Sequence, residues 1–507
     1  MPGRLQEERV SMKLSTLLDA LPESAIVGNP DVDITGIATD SRKVTPGSLF
    51  IAVAGTAEDG HRFMEDAVAR GAVALVGETQ PSEAQGAVFI KVPNSRIGAA
   101  FLAEAFYEFP SRKLEVVGIT GTNGKSSTLY LTRSVLEAAG LSSSGIGTIC
   151  YSIGGSTQPA RNTTPGPIEL SSSLRRAVDA GDKYVIMEVS SHALHQFRVE
   201  ALQFKVAVYT NLSLDHLDYH RSLDEYFTAK RHLFELLSKT PGDPCAVISA
   251  DDARSEDIAA ATTARKLTFG VTKPADICAR NVEIASSHTA FDIVTPDGEF
   301  SVMLKLLGRH SVYNALAATG ACMALGIELP AIKRGLEALS LVPGRFERIC
   351  EGQPFEVIID YAHTPEALKL LLESARSICK GKVIVVFGAG GDRDRSKRPE
   401  MGKLAASLAD FTIVTSDNPR SEDPYTIALD IEIGFQKKGK ERGQNYLVII
   451  DRREAIEEAL ATAEAGDLVI IAGKGHETYQ IFKDKTIEFD DKAIARTWLQ
   501  SMSKLER

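Results

Sequence analysis

The sequence contains no run of about eighteen apolar residues, the length a helix needs to cross a bilayer, so no membrane span is expected. Its first ten residues, MPGRLQEERV, are polar and charged and are not expected to act as a secretory signal; Met12 is a candidate natural start, with an unstructured extension before it. Cysteine is sparse and scattered: Cys150, Cys245, Cys278, Cys322, Cys350 and Cys379 form no CxxC pair, which argues against zinc ribbons and a disulfide framework. Reduced, mostly buried thiols in a cytoplasmic protein are expected instead. Basic residues are in deficit, 57 Lys and Arg against 67 Asp and Glu, for a formal net charge of -10. That balance argues against a nucleic-acid-coating surface. Neither an internal repeat nor a low-complexity tract is visible. The length, 507 residues, exceeds one ordinary core and implies about two to four domains.

What is present centres on residues 118–127, GITGTNGKSS. The β-branched run before them reads as a buried strand, and residues 128–139 carry apolar side chains at helical spacing up to Gly140. Strand, glycine-rich turn, Lys-Ser and helix make a phosphate cradle: backbone N–H groups face the anion and Lys125 reaches the outer phosphates. The hydroxyl of Ser126 suits Mg²⁺, a hard cation that prefers oxygen. The spacing departs from GxxxxGK[ST], because Gly118 lies one residue too far from Gly124. A strand-to-helix turn that merely contains glycines is the bland alternative; ATP binding is the expectation.

Ahead of this loop, residues 14–21 read as a short helix, 48–53 as a strand, 61–69 as a helix and 72–76 as a strand. They make a small α/β domain ending near Arg112, in which Asp40, Ser41 and Arg42 are ligand contacts or ordinary turn residues. Behind the loop, Asn162 to Gly166 form a polar turn, and the strand from Tyr184 ends in the carboxylate of Glu188, where a second Mg²⁺-handling acid belongs. Another strand is expected over 206–212. His216 and His220 would share a face if helical and could then bind a metal, a weak signal without an HExxH context. Lys230 falls on an amphipathic helix over 224–237, where spacing alone makes it a solvated lysine. A hairpin turns at Pro296-Asp297-Gly298, and an Ala-rich helix carrying Asn314 runs on to Gly326. From about 343 the texture becomes strand–helix alternation, with strands at 355–360, 382–387, 411–415, 446–450 and 468–472. That is the mark of a parallel sheet covered on both faces, whose ligands bind beyond the strands' carboxyl ends. The loops there carry Asp360-Tyr361-Ala362-His363, residues 388–393, Asp417-Asn418-Pro419-Arg420 and Gly473-Lys474-Gly475-His476-Glu477.

In order, TDSRKVTPGSLF, GTNGKSS, NTTPG, MEVSSH, the Asn of VYNALAA, PGRFE, DYAHTP, GGDRDRSKRPEM, DNPR and AGKGHE resemble the motifs of the Mur ligases, the ATP-dependent amino-acid-adding enzymes of bacterial cell-wall synthesis. The likeness covers nearly the whole chain after the first dozen residues. It implies an α/β protein of three domains: a small α/β UDP-binding domain (1–112), a central P-loop ATPase with a mostly parallel sheet (113–343) and a Rossmann-like domain that binds the amino acid (344–507).

The resemblance implies a reaction as well: ATP phosphorylates the D-glutamate carboxylate of a UDP-linked muramoyl dipeptide, and an amine of a diamino acid attacks the acyl phosphate. Lys125, Glu188, His216 and Lys230 would be catalytic. Gly121, Thr122, Asn123, Gly124, Lys125, Ser126, Ser127, Asn314, Arg345 and Asp360 would bind ATP. Mg²⁺ would sit with Ser126, Glu188 and Lys230, the last carbamylated by CO₂, and the zinc reading of His216 and His220 then falls away. Thr39, Ser41, Thr56, Ala57, Glu58, Asn162, Thr163, Thr164, Ser190, Gln196 and Arg198 would hold the UDP-muramoyl dipeptide. Arg393, Asp417, Asn418, Pro419, Arg420, Gly473 and Glu477 would hold the amino acid. An intact DNPR points to meso-diaminopimelate, because Arg420 can fork onto a distal carboxylate that lysine lacks; a lysine-adding ligase is the runner-up.

Two positions depart from the family pattern: Ser126 replaces the usual Thr and keeps the hydroxyl, and Ser311 stands where Asn is frequent. A folylpolyglutamate synthetase would lack the DSR-bearing domain and DNPR, and a silent scaffold would have no need of Lys125, Glu188 and Lys230. A cytoplasmic monomer without nucleic-acid or membrane partners is expected.

Overall fold

The computed structural model describes residues 11–55, 58–81 and 86–505, with the side chains of residues 503–505 left aside. Thr56 and Ala57, expected to contact the nucleotide-sugar substrate, lie outside the described residues. Three large sheets follow one another along the chain, accompanied by two small two-stranded ones. The first runs Ala25–Val27, Val88–Lys91, Ala72–Gly77, Ser48–Ile51, Gly36–Ala38 in space, parallel apart from the antiparallel edge strand Ala25–Val27.

The second sheet has 11 strands. Its middle is parallel, with Glu115–Thr120 between Tyr184–Glu188 and Val206–Tyr209, so the phosphate loop and the Glu188 carboxylate leave adjacent strands on the same edge. Strands such as Val116-Val117-Gly118-Ile119 are apolar on every residue because both faces are covered: Val117 and Ile119 pack into one core and Val116 into another. The Ala-rich helix Arg309–Ala324 is buried nearly all round, which small side chains permit against a sheet. The third sheet has six strands in the order Glu347–Ile349, Glu356–Asp360, Leu468–Ala472, Val383–Phe387, Phe411–Val414, Tyr446–Val448, parallel apart from the first. Pro167, Pro365 and Pro424 each open a helix, where a missing N–H and a fixed φ are harmless.

Several local expectations need correction. Residues 61–69 are a 3₁₀ turn, Gly60–Phe63, followed by the α-helix Met64–Ala69. The strand from Val206 stops at Tyr209; the Thr210 N–H still donates to Thr120 O (3.0 Å), and its hydroxyl donates to the phosphate loop at Asn123 O (2.7 Å). His216 and His220 do not share a helix: His216 has φ 55° in a turn, and its C=O accepts the His220 N–H at 2.8 Å. The cysteines are all free, but only Cys245 and Cys322 are buried; Cys350 is exposed and the others are intermediate. No helix among the described residues is long and apolar enough to cross a membrane.

Candidate active site

Strand Glu115–Thr120 delivers the chain into a turn whose glycines are required by position. Gly121 (φ 143°) and Gly124 (φ 87°) occupy left-handed backbone, and a Cβ at either would run into Thr210 Oγ1 or Asn314 Oδ1 respectively. Gly118 lies inside the strand, so Gly121 is the first glycine of the turn itself and the irregular spacing has no structural cost. Helix Lys125–Ala138 starts without a side-chain cap, leaving its first N–H groups aimed at the turn. The turn is clamped from the neighbouring strand end: Thr122 N donates to Asn211 O (2.8 Å) and Asn123 N to Asn211 Oδ1 (3.0 Å).

Around this turn the structure gathers the residues singled out above. Lys125 Nζ folds back to donate to Gly121 O (2.9 Å) and Thr122 O (2.8 Å), and burial lowers its pKa. Ser126 Oγ donates to Glu188 Oε1 at 2.8 Å. Glu188, 1% exposed, also accepts Thr148 N (2.9 Å) and Thr148 Oγ1 (3.0 Å). Lys230, also 1% exposed, donates to Gly121 O at 2.7 Å and stands 4.2 Å above the Tyr226 ring. Burial, reinforced by the Lys125 charge, pushes its pKa well below the lysine range, so the sequence reading of Lys230 as a solvated cation is wrong. From the third sheet Arg345 reaches Ser126 Oγ (Nη2, 3.4 Å) while its Cζ lies 4.4 Å from the Tyr361 ring centroid. Asp360 accepts Phe346 N and Ala362 N, each at 2.7 Å. These side chains, with Asn314 and Ser127, line one cavity of about 660 Å³ between the second and third sheets.

His216 faces the same cavity beside Asp215. Burial works against the Asp215 charge, but the His216 and His363 rings and Lys397 outweigh it and bring the carboxyl down to about 2. Burial pushes His216 down to about 3, so at neutral pH the pair is a carboxylate beside a neutral imidazole.

A second cavity, about 790 Å³, opens between the first sheet and the second and is lined by Thr39, Ser41, Glu58, Gln196 and Arg198. It is joined to the first through the end of the Glu188 strand. Arg198 donates to Thr164 O (2.8 Å), Thr164 Oγ1 to Glu188 O (2.8 Å), and Ser190 N to Thr164 Oγ1 (3.0 Å). Thr163 Oγ1 meets Thr148 Oγ1 at 3.0 Å, and Asn162 is held through its backbone by the Tyr151 hydroxyl.

The remaining expected residues cluster at the carboxyl ends of the third sheet. Asn418 donates to Glu477 Oε2 (3.0 Å) and accepts from Lys474 Nζ (3.2 Å), a buried lysine also 3.1 Å from Glu477. Arg420 (φ 52°) uses only Nη1, towards Gly391 O (2.7 Å) and Asn418 O (3.4 Å); its Nε and Nη2 bond nothing among the described residues. Burial and the Arg393 charge lower the Arg420 pKa against the pull of Asp417, Glu477 and Asp392. Arg393 itself lies 3.8 Å from Asp218 of the second sheet's loops. Gly473 leaves room for Asp417, and Pro419 turns the chain against Gly391. The buried Arg452–Asp491 pair (2.7 Å) braces these loops, with Arg452 donating to Ala472 O (2.9 Å) and Ser416 O (3.4 Å).

Sequence reasoning gave no role to Thr148, Asp215 and Tyr226, which border the first cavity, as do Tyr361 and His363 of the strand-end loop singled out above. The GIGT stretch ending in Thr148 carried a usable signal, a glycine-rich strand end next to the Glu188 strand; Tyr226 looked like any aromatic on a helix.

The donor set suits a hard cation. Ser126 and Glu188 offer oxygen 2.8 Å apart, although no group of three His, Cys, Asp or Glu among the described residues is placed to hold a metal ion.

A phosphate turn, a strand-end carboxylate on the adjacent strand and a second parallel-sheet unit supplying an arginine define a nucleotide-dependent enzyme. The chain belongs to the Mur ligase family: the Mur ligase family catalytic domain matches residues 33–107, the Mur ligase middle domain 119–322, and the Mur ligase glutamate ligase domain 344–475. The UDP-N-acetylmuramoyl-L-alanyl-D-glutamate–2,6-diaminopimelate ligase of Geobacillus thermodenitrificans is 46% identical over 488 residues, 96% of this chain and 99% of that protein. A solved structure of an enzyme of that name is 32% identical with a TM-score of 0.67, covering 96% of this chain and 99% of its own. The Thermotoga maritima MurF ligase in complex with ADP shares the fold at 18% identity, with a TM-score of 0.61 over 93% of this chain and 98% of its own.

Proposed function

We propose that the chain joins meso-2,6-diaminopimelate to the D-glutamate of UDP-N-acetylmuramoyl-L-alanyl-D-glutamate at the expense of ATP, a step of peptidoglycan precursor synthesis. The observation that carries this reading is the convergence of Lys125, Ser126, Glu188, Lys230 and Arg345 on one cavity, in a chain 46% identical to a ligase of that name.

A carboxylate is a poor electrophile because oxide would have to leave, so the D-glutamate oxygen first attacks the γ-phosphorus and ADP departs. Lys125 and Arg345 flank the place where phosphoryl charge builds, and the uncapped N–H groups after Gly124 add fixed dipoles. Ser126 and Glu188 would hold Mg²⁺, which when bound neutralises phosphate charge. Lys230 is kept neutral by burial, and a neutral amine is the form that adds CO₂, losing a proton to become an anionic carbamate. That modification would turn a would-be cation into another oxygen ligand. The amine of the diamino acid then attacks the acyl carbon, and the tetrahedral adduct expels phosphate to leave the amide. His216, neutral beside Asp215, adds no charge to a cavity already holding Lys125 and Arg345.

The second cavity would seat the UDP-muramoyl dipeptide on Thr39, Ser41, Glu58, Asn162, Thr163, Thr164, Ser190, Gln196 and Arg198. Its connection through Thr164 to the Glu188 strand would bring the peptide end to the phosphate turn. Asp417, Asn418, Pro419, Gly473 and Glu477 would position the diamino acid, with Arg393 and Arg420 on carboxylates. Three domains with boundaries near 112 and 343, a monomeric state and a cytoplasmic location complete the reading. Incubation with ATP, Mg²⁺, the UDP-dipeptide and meso-diaminopimelate should give a nucleotide heavier by one diaminopimelate less water on mass spectrometry. Absence of that product, with ADP formed only as background, would overturn the reading.

A further inference from the structure

A third cavity, about 250 Å³, lies behind the phosphate turn, where the hairpin strand Gly298–Leu304 and the linker around Val342 meet the first strand of the third sheet. Its charged lining is all basic: Lys305, Arg345 and Arg348, with His310 beside them and Ser127 and Ser340 supplying hydroxyls. No carboxylate lines it, although acids outnumber bases over the whole chain. Lys305 is exposed, and the two arginines are incompletely paired. Lys305 makes no hydrogen bond or ion pair among the described residues. Arg345 Nε and Arg348 Nε are buried without a hydrogen-bond partner, and the nearest anion to Arg348 is Glu356, 3.5 Å away on the neighbouring strand. Buried guanidinium N–H groups left without a hydrogen bond are costly, and convergent cations whose one counter-charge among the described residues is the long Arg348–Glu356 ion pair attract an anion.

We propose that this cavity is a second anion site, adjoining the nucleotide cavity, for a small phosphate-type dianion: free phosphate or the head of a phosphomonoester. Lys305 comes from the second sheet's hairpin and Arg348 from the third sheet, so the anion ties the two units together at the linker between them. Ser127, His310 and Arg345 border both this cavity and the nucleotide cavity. An occupied site therefore holds the third sheet, with its Arg345, in register with Ser126. Neither Lys305 nor Arg348 belongs to the reaction site, so the proposal stands or falls independently of the ligase reading.

The test is calorimetric titration of inorganic phosphate, and separately of glycerol phosphate, into the full chain saturated with Mg²⁺ and a non-hydrolysable ATP analogue, which fills the nucleotide site. One equivalent of phosphate should bind the wild-type chain. Arg348→Ala and Lys305→Ala should each weaken it at least about tenfold, and Arg348→Lys less, while all variants keep their analogue affinity as evidence of folding. Binding of glycerol phosphate at the same site would assign the phosphomonoester head; binding of phosphate alone would assign the free ion. No binding to the analogue-saturated chain, or binding unchanged in both alanine variants, would overturn the proposal.

Discussion

Glu104→Gln should stabilise the protein at pH 8 and remove a pH dependence that the wild-type chain shows between about pH 4.5 and 8. Glu104 lies on helix Ser95–Phe106, 1% exposed, at the joint between the first and second sheets. One oxygen accepts Ser111 Oγ (2.8 Å) and Ser111 N (3.4 Å); the other accepts Ser171 Oγ (3.2 Å) from helix Pro167–Asp179 across the joint. Burial raises its pKa from 4.5 to about 7 against the pull of those bonds and of Arg112. The folded chain thus holds a proton between those two values that the unfolded chain has released. Its contribution is fully present below pH 4.5 and is lost as pH rises through 7. At about 1.4 kcal/mol for each pH unit, the loss reaches about 3 kcal/mol. Glutamine keeps an acceptor for Ser111 N and gives the hydroxyls a donor, yet never ionises. Thermal unfolding of both chains at pH 5 and pH 8 reads the effect: the wild type should lose stability across that interval relative to Glu104→Gln. A variant destabilised equally at both pH values would show that Glu104 stays neutral throughout, or that its charge costs nothing, and the argument would fail.

Lys230→Arg should abolish phosphate release, because guanidinium cannot lose its charge or add CO₂ in the place where Lys230 is held neutral; activity within about tenfold of wild type in a release assay would reject the carbamate reading. Arg420→Ala should cut kcat/KM for diaminopimelate by about 100-fold, the loss of a forked charge-assisted contact, and erase its preference over L-lysine. Unchanged preference in a competition assay would move the selector elsewhere. Thr148→Val removes one of the hydroxyl bonds to Glu188 but keeps the backbone one, so a drop of about 10-fold in kcat with little change in the nucleotide-sugar KM is expected from steady-state kinetics. Gly121→Ala should destroy nucleotide binding in a direct titration, since its methyl would displace Thr210 and the clamp on the turn.

Much of this was legible in the sequence because the decisive elements are local. A run such as Val383–Phe387, apolar on every residue, is a buried parallel strand whatever surrounds it, and GTNGKSS carries its own turn chemistry. The polar and charged loops at the third sheet were visible because the ends of parallel strands collect them. What escaped depends on distant packing. Lys230 looks solvated on its helix until Phe204 and Leu233 close around Gly118 and leave its amine beside Gly121 O. Asp215 and His363 meet only when the second and third sheets face each other, 3.9 Å apart at their closest nitrogen and oxygen. The short antiparallel strand Glu347–Ile349 was unreadable for a similar reason: three residues gain strand identity only from the ladder with Val357, Ile358 and Ile359.

The most direct test of the central claim is phosphate release from ATP in the presence of UDP-N-acetylmuramoyl-L-alanyl-D-glutamate, with meso-diaminopimelate and L-lysine compared side by side. Release that requires the nucleotide dipeptide and strongly prefers diaminopimelate is the predicted result. Release that prefers lysine would contradict the role given to Arg420, and release with neither amino acid would contradict the ligase itself.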